Sequence, residues 1–257
     1  MDTTRRGAPR GSGRPLVLGH RGASADAPEN TLAAFRLAME QGADGVELDV
    51  WRCASGEVVV FHDEDASRIA GAPVRVRDAT LAQLRALDVG AHAGPRFRGE
   101  RIPLLAEVLD ALPGAVVNVE LKSRGRDLAL ARATAAVVAA ARAEDRVVVS
   151  SFDYRLVAAF RAAAPHLPVG LLFEHEHPWR LRTALAARLL RAEAVHPERV
   201  LVTPARAAAW RARGLAVNVW TVDAPEEIER LVDLGATAII SNVPGRTREV
   251  VRRRTGR

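Results

Sequence analysis

The sequence predicts an α/β fold built on a parallel sheet. Short β-branched segments alternate with helical segments rich in Ala, Leu and Arg along most of the 257 residues, and this alternation is typical of parallel sheets. About eight strand–helix units in a chain of this length match the size of a TIM (β/α)8 barrel. We therefore expect a single barrel domain over residues 15–246, with no internal repeat and no second domain.

The elements follow one another in a regular order. The predicted strands are Leu16–Gly19, Gly45–Val50, Val58–Phe61, Val116–Leu121, Val147–Ser150, Val169–Phe173, Val200–Thr203, Ala216–Val222 and Ala238–Ser241. The predicted helices are Thr31–Gln41, Leu81–Leu87, Leu104–Leu112, Leu128–Ala143, Tyr154–Ala164, Trp179–Glu193, Ala205–Arg213, Pro225–Leu234 and Thr247–Arg253. Asn30 or Thr31 caps the first helix, which Gly42 ends.

Two details depart from a regular barrel. The link from Val50 to Val58 is too short for a helix, so we expect one crossover helix to be missing between the second and third strands. Nine strand candidates also compete for eight places, and Val200–Thr203 is the weakest of them. The stretch 64–103 is too long for a simple loop, and we interpret it as a small insertion above the barrel with one short helix.

The net charge of +6 suggests a nucleic-acid partner at first sight, but the positive residues lie at the two ends of the chain. Residues 1–14 contain four Arg and residues 246–257 contain six, so the body between them has no basic excess and no basic stripe. We expect 1–14 to be a disordered basic arm and 247–257 a basic helix or tail. No specific nucleic-acid partner is expected, whereas weak contact of these Arg-rich ends with an anionic membrane stays open.

Cysteine content and hydropathy indicate the compartment. Cys53 is the single cysteine, so an internal disulfide is excluded and a reducing, cytoplasmic setting is the expected one. No apolar run approaches the length that spans a membrane. The first 14 residues also lack the apolar centre of a secretory signal.

Acidic residues interrupt two of the predicted strands. Glu47 and Asp49 lie two apart in one strand, and Glu120 and Lys122 lie two apart across the end of another. Residues two apart share a face of a strand, so these side chains lie opposite the apolar face of each strand. Three carboxylates that converge on one point form a site for a hard divalent metal ion. The plainer alternatives are a solvent-facing edge strand for the first pair and a local ion pair for the second.

Two histidines lie where predicted strands end. His20 ends the first strand and leads into Arg21, and His62 ends the third. The C-terminal ends of barrel strands surround the active site, so these residues should meet the carboxylates and Lys122 at one mouth. Taken singly, each histidine could be a plain hydrogen-bonding residue and Arg21 a surface cation. These alternatives would all have to hold together, which makes convergence the better hypothesis.

Carboxylates, two histidines, an Arg and a Lys together indicate phosphoryl transfer. A metal ion polarises a phosphate oxygen, Arg21 and Lys122 neutralise the remaining charge, and one histidine acts as base while the other protonates the leaving oxygen. Neither a G-x-x-x-x-G-K-[ST] loop nor a G-x-S-x-G elbow occurs, which disfavours nucleotide hydrolysis and serine-esterase chemistry.

The other histidines carry less information. His175 and His177 alternate with glutamates in a predicted loop, but the spacing is not that of the helical His-Glu-x-x-His zinc motif. A metal there is a minority alternative. We expect His92, His166 and His196 to be surface or turn residues.

Several motifs resemble those of glycerophosphodiester phosphodiesterases. They are Gly19-His20-Arg21-Gly22-Ala23, Ala27-Pro28-Glu29-Asn30-Thr31, Glu47-Leu48-Asp49-Val50, Phe61-His62-Asp63, residues 102–109, Val119-Glu120-Leu121-Lys122, Ser150-Ser151-Phe152 and residues 217–222. The resemblance extends from about residue 15 to about residue 246, and the set is highly specific as a whole.

The resemblance implies a TIM-barrel hydrolase that converts substrates such as glycerophosphocholine or glycerophosphoethanolamine into an alcohol and sn-glycerol 3-phosphate. By the same match, Glu47, Asp49 and Glu120 would bind Mg²⁺ or Ca²⁺, and His20 and His62 would be the acid/base pair. Arg21 and Lys122 would hold the phosphate. Trp220 would line the glycerol pocket, and its alternative is a plain core residue.

One position departs from the family pattern. Family members usually have Thr-Asp before a Pro after the last strand, whereas this chain has Ser241-Asn242-Val243-Pro244. We expect Asn242 to alter a polar contact near the mouth and to leave the metal and histidine set complete. Two rival functions stay open: a lysophospholipase D or other phospholipid-directed phosphodiesterase on the same fold, and a phosphodiester-binding protein without turnover.

Overall fold

The computed structural model describes residues 8–9, 11–122, 127–176 and 184–256. Within these ranges nine strands form one sheet, and the pairing of β1 with both β2 and β9 closes eight of them into a parallel barrel. The predicted TIM barrel is confirmed. The strands are β1 (Leu16–His20), β2 (Gly45–Arg52), β3 (Val58–Val60), β4 (Val116–Leu121), β5 (Val147–Ser151), β6 (Val169–Phe173), β7 (Ala194–Pro197), β8 (Ala216–Val219) and β9 (Ala238–Ser241).

Helices surround the barrel and bury its outer face. Outward residues of β2 and β4, such as Leu48 and Val119, are fully buried against helical residues such as Phe35 and Val108. Each such side chain contributes about 1.5–3 kcal/mol to the free energy of folding. The helices are α1 (Leu32–Glu40), α2 (Ser67–Ala70), α3 (Leu81–Arg85), α4 (Leu105–Ala111), α5 (Leu128–Ala140), α6 (Tyr154–Ala163), α7 (Ala184–Leu189), α8 (Pro204–Arg211), α9 (Pro225–Asp233) and α10 (Pro244–Thr255).

The missing crossover helix has a simple cause in the direction of β3. This strand pairs antiparallel with β2, so that Val50 lies opposite Val60 and Arg52 opposite Val58. An antiparallel partner needs only a tight turn, whereas a parallel one needs a long crossover. β3 is therefore the surplus strand among the nine, and it lies outside the closed barrel.

The prediction for β7 was wrong. The strand is Ala194–Pro197, whereas the predicted strand 200–203 begins in a 3-10 turn, Arg199–Leu201, where Val200 is largely exposed. Only α7 (Ala184–Leu189) was found within the predicted helix 179–193, whose first residues, 179–183, lie outside the described ranges. The true strand was hidden because it contains one β-branched residue, Val195, beside a histidine and a proline.

The insertion contains more structure than the single short helix that we expected. It includes α2, α3 and the 3-10 turns Val76–Asp78, Ala91–Ala93 and Pro95–Phe97. Its apolar side chains form a separate small core with residues of β2 and β3, among them Trp51, Val59, Ile69, Leu84 and Ile102. Since this core is anchored on the β2–β3 hairpin, the insertion is fixed directly above one side of the barrel mouth.

Described parts of the two chain ends contact the body. Arg14 binds both carboxylate oxygens of Asp44 at 2.8 and 2.7 Å, and Arg248 of α10 lies 3.3 Å from the same group. Residues 1–7 and 10, which make up most of the predicted arm, lie outside the described ranges. In the described residues, no helix has both the length and the apolar character needed to cross a membrane.

The barrel interior contains a fully buried histidine, His196, for which a surface or turn position was wrongly predicted. Asn218 Nδ2 donates to its Nε2 at 3.1 Å, and Gly170 makes room for the ring, because an added Cβ would lie 2.3 Å from Nε2. Burial lowers the pKa of His196 to about 3.

We expect His196 to make the fold sensitive to mild acid. The unfolded chain binds a proton at this residue below about pH 6.5, whereas the folded chain binds it only near pH 3, so stability falls as the pH drops through this window. The loss is about 1.4 kcal/mol per pH unit, or about 2 kcal/mol between pH 8 and pH 5. Urea unfolding of the wild type and of His196→Gln at both pH values measures it.

The variant should lose this part of the pH dependence whatever its absolute stability. The same substitution at the exposed His92 is the matched control and should leave the slope unchanged. Equal pH slopes for the wild type and His196→Gln would show that His196 is not the cause.

Candidate active site

The loop after β1 places His20 and Arg21 at the barrel mouth. Arg21 has a left-handed backbone (φ 57°), as does Gly22 (φ 87°). Gly22 packs so closely on α1 that an added Cβ would lie 2.6 Å from the carbonyl carbon of Ala34. The left-handed conformation is costly for a residue with a side chain, and it is held here by a hydrogen bond from Asn30 N to Arg21 O at 3.0 Å.

Strand register brings the three acidic residues together. His20 lies opposite Glu47 in the β1–β2 pair, and Asp49 lies opposite Glu120 in the β2–β4 pair. One carboxylate oxygen from each acid lies within 4.8 Å of the others, and all three side chains are buried. The convergence that the alternation of the strands predicted is thus observed, and the edge-strand alternative is wrong.

Two cations lie against this carboxylate cluster, which we define as Glu47, Asp49 and Glu120. Lys122 Nζ is 2.8 Å from Glu120 Oε1 and 3.3 Å from Asp49 Oδ1. Arg21 Nε is 3.3 Å from Asp49 Oδ2. Neither residue is a plain surface cation, because the exposed fraction of the Arg21 side chain is 18% and that of Lys122 is 16%.

Burial and mutual repulsion decide the protonation of the cluster. Burial, then the neighbouring charges of Asp49 and Glu120, raises the pKa of Glu47 well above its usual value. Burial also raises the pKa of Glu120 to about 7, although Lys122 opposes the shift. For Asp49, burial favours the neutral form, but Lys122 and Arg21 outweigh it and hold the pKa below the usual range. The three acids therefore differ in charge state despite their proximity.

His20 is held by residues from the far end of the chain. Its Nδ1 lies 2.7 Å from Asn242 Oδ1, and its Nε2 is 3.9 Å from Glu47 Oε2. Burial, followed by the positive charge of Arg21, lowers the pKa of His20 to about 4. The polar contact that Asn242 was expected to alter is therefore its contact with His20.

His62 reaches the same mouth by a route that the sequence did not reveal. It follows β3, which returns antiparallel from above the barrel, so that Phe61 N donates to Asp49 O at 2.9 Å. Its Nδ1 donates to Asp63 Oδ1 at 2.6 Å. Burial lowers the pKa of His62, and the hydrogen bond to Asp63 partly opposes this shift.

Three supporting residues were missed as functional candidates. Arg68 of α2 binds Asp63 at 2.7 Å and Glu29 at 2.7 Å, and Glu29 in turn binds Arg21 at 3.0 Å. One arginine of the insertion therefore connects the partner of His62 with the partner of Arg21. Sequence signals existed for these residues, since Glu29 and Asp63 lie inside motifs already singled out, but nothing in the sequence paired them with Arg68.

Asn30 is the other supporting residue that sequence reasoning misjudged. Thr31, not Asn30, caps α1, since its side chain accepts from Ala34 N. Asn30 also has a left-handed backbone (φ 57°), and its Nδ2 donates to Asp49 Oδ2 at 2.9 Å. A left-handed asparagine next to a conspicuous acid is thus a fixed orienting group for Asp49.

A cavity of about 880 Å³ opens at the mouth above these groups. Its aromatic wall is Trp220, whose ring centroid lies 5.5 Å from that of Phe152 at an angle of 87°. Trp220 Nε1 donates to His196 O at 2.8 Å, which fixes the indole on the barrel wall. The lining also includes His20, Arg21, Glu47, His62, Glu120, Lys122, Leu172 and Ile240.

Every predicted site residue lies in or directly beneath this cavity. His175 does not belong to the carboxylate cluster: its side chain is largely exposed and binds Glu198 at 2.7 Å. His177 lies outside the described residues. Among the described residues, Glu47, Asp49 and Glu120 are the group of acids and histidines found close enough to share a metal ion.

The sequence matches the model of the glycerophosphoryl diester phosphodiesterase family over residues 20–246. The chain belongs to this family. The predicted enzyme class, a phosphoric diester hydrolase, is confirmed by this membership. A glycerophosphodiester phosphodiesterase of Caldanaerobacter subterraneus is 36% identical over 249 residues, which cover 93% of this chain and 99% of the relative.

Solved structures agree in fold over almost the whole length. A phosphodiesterase of Oleispira antarctica in complex with the product sn-glycerol-3-phosphate has a TM-score of 0.85 at 28% identity, covering 93% of this chain and 97% of that one. The glycerophosphodiester phosphodiesterase of Thermotoga maritima has a TM-score of 0.76 at 28% identity, covering 93% and 100%.

The carboxylate cluster fits a divalent cation of the kind that the family suggests. Oxygen ligands of Mg²⁺ or Ca²⁺ lie at about 2.0–2.6 Å from the ion, so ligands of one ion are at most roughly 5 Å apart. The 4.8 Å limit of the cluster meets this requirement. Burial of three acids in contact with one another is otherwise unfavourable, and a bound cation offsets that cost.

We expect Glu47→Gln to separate metal binding from folding. Because the pKa of Glu47 is raised, an uncharged Gln matches the metal-free form and should leave the metal-free Tm nearly unchanged. Mg²⁺ or Ca²⁺ at about a hundredfold excess over Kd should stabilise the wild type by about 2.7 kcal/mol, or roughly 5–10 °C in Tm. The variant should lose most of this rise in a thermal-shift titration.

Glu64→Gln is the matched control, since Glu64 lines the same cavity but lies outside the carboxylate cluster. It should respond to metal as the wild type does. A full metal response in Glu47→Gln would remove Glu47 from the set of ligands.

Proposed function

We propose that this protein hydrolyses glycerophosphodiesters such as glycerophosphocholine and glycerophosphoethanolamine to an alcohol and sn-glycerol 3-phosphate. The observation that carries the proposal is the meeting of the carboxylate cluster, two histidines and two cations in one cavity. Family membership and the product complex of the Oleispira antarctica relative support the substrate class. The residues responsible are those predicted from the sequence.

Binding of the phosphate is assigned to the cations and to the carboxylate cluster. Arg21 and Lys122 lie on the two sides of Asp49, so both reach the space above the cluster and neutralise phosphate oxygens there. Glu47, Asp49 and Glu120 would hold a divalent cation, which would supply a Lewis acid for the phosphate. Lys122 stays charged, because Asp49 and Glu120 outweigh burial and raise its pKa.

Proton transfer is assigned to the two histidines, which have different partners. His20 Nδ1 donates a hydrogen bond to the amide oxygen of Asn242, so the unprotonated Nε2 faces the site as the general base. His62 donates to the carboxylate of Asp63, which stabilises a protonated ring and suits it to be the general acid. The attacking oxygen belongs either to water or to the neighbouring glycerol hydroxyl, which would first give a cyclic phosphate.

The glycerol moiety is assigned to the aromatic wall. Trp220 offers an apolar face braced edge-on by Phe152, and Leu172 and Ile240 line the cavity nearby. This wall suits the carbon backbone of glycerol, whereas the phosphate takes the charged side of the cavity.

Release of glycerol 3-phosphate from the two glycerophosphodiesters is the direct test. With Mg²⁺ or Ca²⁺ present we expect turnover, with EDTA none, and with His20→Ala a loss of about 10²–10⁴-fold in kcat. His175→Ala is the matched control, because His175 is an exposed histidine at the rim and should leave kcat unchanged.

The same assay separates the rival functions. Faster turnover of lysophospholipid presented in anionic vesicles would favour a lysophospholipase D. Tight binding of glycerophosphodiesters without product under either metal would instead establish a binding protein and sink the proposal.

We expect the loss caused by His62→Ala to depend on the leaving group. A general acid matters for an alkoxide, which is a poor leaving group, and much less for p-nitrophenolate. His62→Ala should therefore reduce kcat/KM for glycerophosphocholine by about 10²-fold or more and for a p-nitrophenyl phosphodiester by about tenfold or less. Equal losses on both substrates would exclude His62 as the acid, and His20→Ala should lose activity on both.

A further inference from the structure

Two residues behind His20 determine which of its nitrogens faces the cavity. Asn242 follows β9, and its Oδ1 lies 2.7 Å from His20 Nδ1. Asp223 lies between β8 and α9. Its carboxylate accepts hydrogen bonds from Asn242 Nδ2 at 2.7 Å and from Asn242 N at 2.8 Å. Neither residue is among the described residues that line the cavity, so neither reaches the substrate directly.

The direction of each hydrogen bond in this chain is fixed by Asp223. A carboxylate only accepts hydrogen bonds, so the amide of Asn242 must turn its Nδ2 toward Asp223 and its Oδ1 toward His20. An amide oxygen also only accepts, so His20 Nδ1 must carry the proton. The lone pair is then left on Nε2, the nitrogen that lies 3.9 Å from Glu47 in the cavity.

Two hydroxyl groups add hydrogen bonds that are compatible with this orientation. Ser24 Oγ donates to Asn242 Oδ1 at 2.8 Å, on the side of the amide that faces His20. Ser241 Oγ donates to Asp223 Oδ1 at 2.9 Å, on the opposite side of the chain of hydrogen bonds. The Ser24 hydroxyl could also accept from a reversed amide, so the contact that excludes reversal is the one that would place the amide oxygen against the Asp223 carboxylate.

We propose that Asp223, acting through Asn242, is a positioning residue that holds His20 in the Nδ1–H tautomer. The inference rests on the proposed function only in making His20 the general base. The tautomer itself follows from the hydrogen bonds alone. A reversed amide would force the proton onto Nε2, and the ring would then present a donor where the reaction requires an acceptor.

An exchange of the two side chains tests the proposal. Asp223→Asn places two amides face to face, so Asn242 can turn and His20 can change tautomer. The double variant Asp223→Asn/Asn242→Asp exchanges carboxylate and amide, and each hydrogen bond named above regains a donor and an acceptor. Asp233→Asn is the control. It removes an exposed carboxylate at the end of α9 that is paired with Arg254 of α10.

The expected results differ between the three variants. Asp223→Asn should reduce kcat on the order of 10²-fold with KM nearly unchanged, and the double variant should recover to within about tenfold of the wild type. In ¹⁵N-histidine NMR spectra of the Mg²⁺-loaded protein, the His20 signals should indicate Nδ1–H in the wild type and double variant and Nε2–H in Asp223→Asn. His20→Ala assigns these signals, and Asp233→Asn should match the wild type in both measurements.

The NMR measurement needs no substrate, so it separates this inference from the proposed function. If the wild type turns over no glycerophosphodiester but the His20 tautomer still differs between the wild type and Asp223→Asn, the proposed function fails and the positioning role stands. An unchanged tautomer in a folded Asp223→Asn variant overturns the inference. So does a folded double variant that keeps the defect, because the loss would then be structural.

Discussion

Burial of three carboxylates at one point is the constraint on which the rest of the site depends. Like charges within 4.8 Å of one another repel strongly away from water, so cations must surround them. Arg21 and Lys122 leave one net negative charge when all three acids are ionised. A divalent cation would reverse this to one positive charge, which a single phosphodiester anion would neutralise. Without the cation, a proton on Glu47, whose pKa is raised by burial and by its acidic neighbours, balances the charge instead.

The same constraint explains why so many residues around the site have no direct chemical task. Each charged group must be held in a fixed position beside its partner, and neighbouring side chains do this: Asn30 orients Asp49, and Glu29 holds Arg21. Arg68 binds both Glu29, the partner of Arg21, and Asp63, the partner of His62. The insertion that carries Arg68 therefore helps to position Arg21 and His62 and is part of the site.

The sequence revealed what depends on local patterns and concealed what depends on distant contacts. Strand alternation alone placed Glu47, Asp49 and Glu120 on one face, because side-chain direction is a property of each strand. His62 was placed correctly for an incomplete reason, since its strand runs antiparallel and outside the barrel. His196 and β7 were missed because a short strand with a buried polar residue lacks the usual pattern. Arg68, Asp223 and Asn30 act through partners far along the chain, which no spacing discloses.

The two histidines have partners of different chemistry, and this difference follows from topology. His62 lies next to Asp63 in sequence, so its partner is a carboxylate that stabilises a protonated ring. His20 ends β1, and β9 pairs with β1 in the closed barrel, so its partner comes from the segment after β9. That partner is a neutral amide, and burial and the charge of Arg21 lower the pKa of His20 by more than the hydrogen bond to this amide raises it. Closure of the barrel thus brings the segment after the last strand into contact with His20 at the end of the first strand.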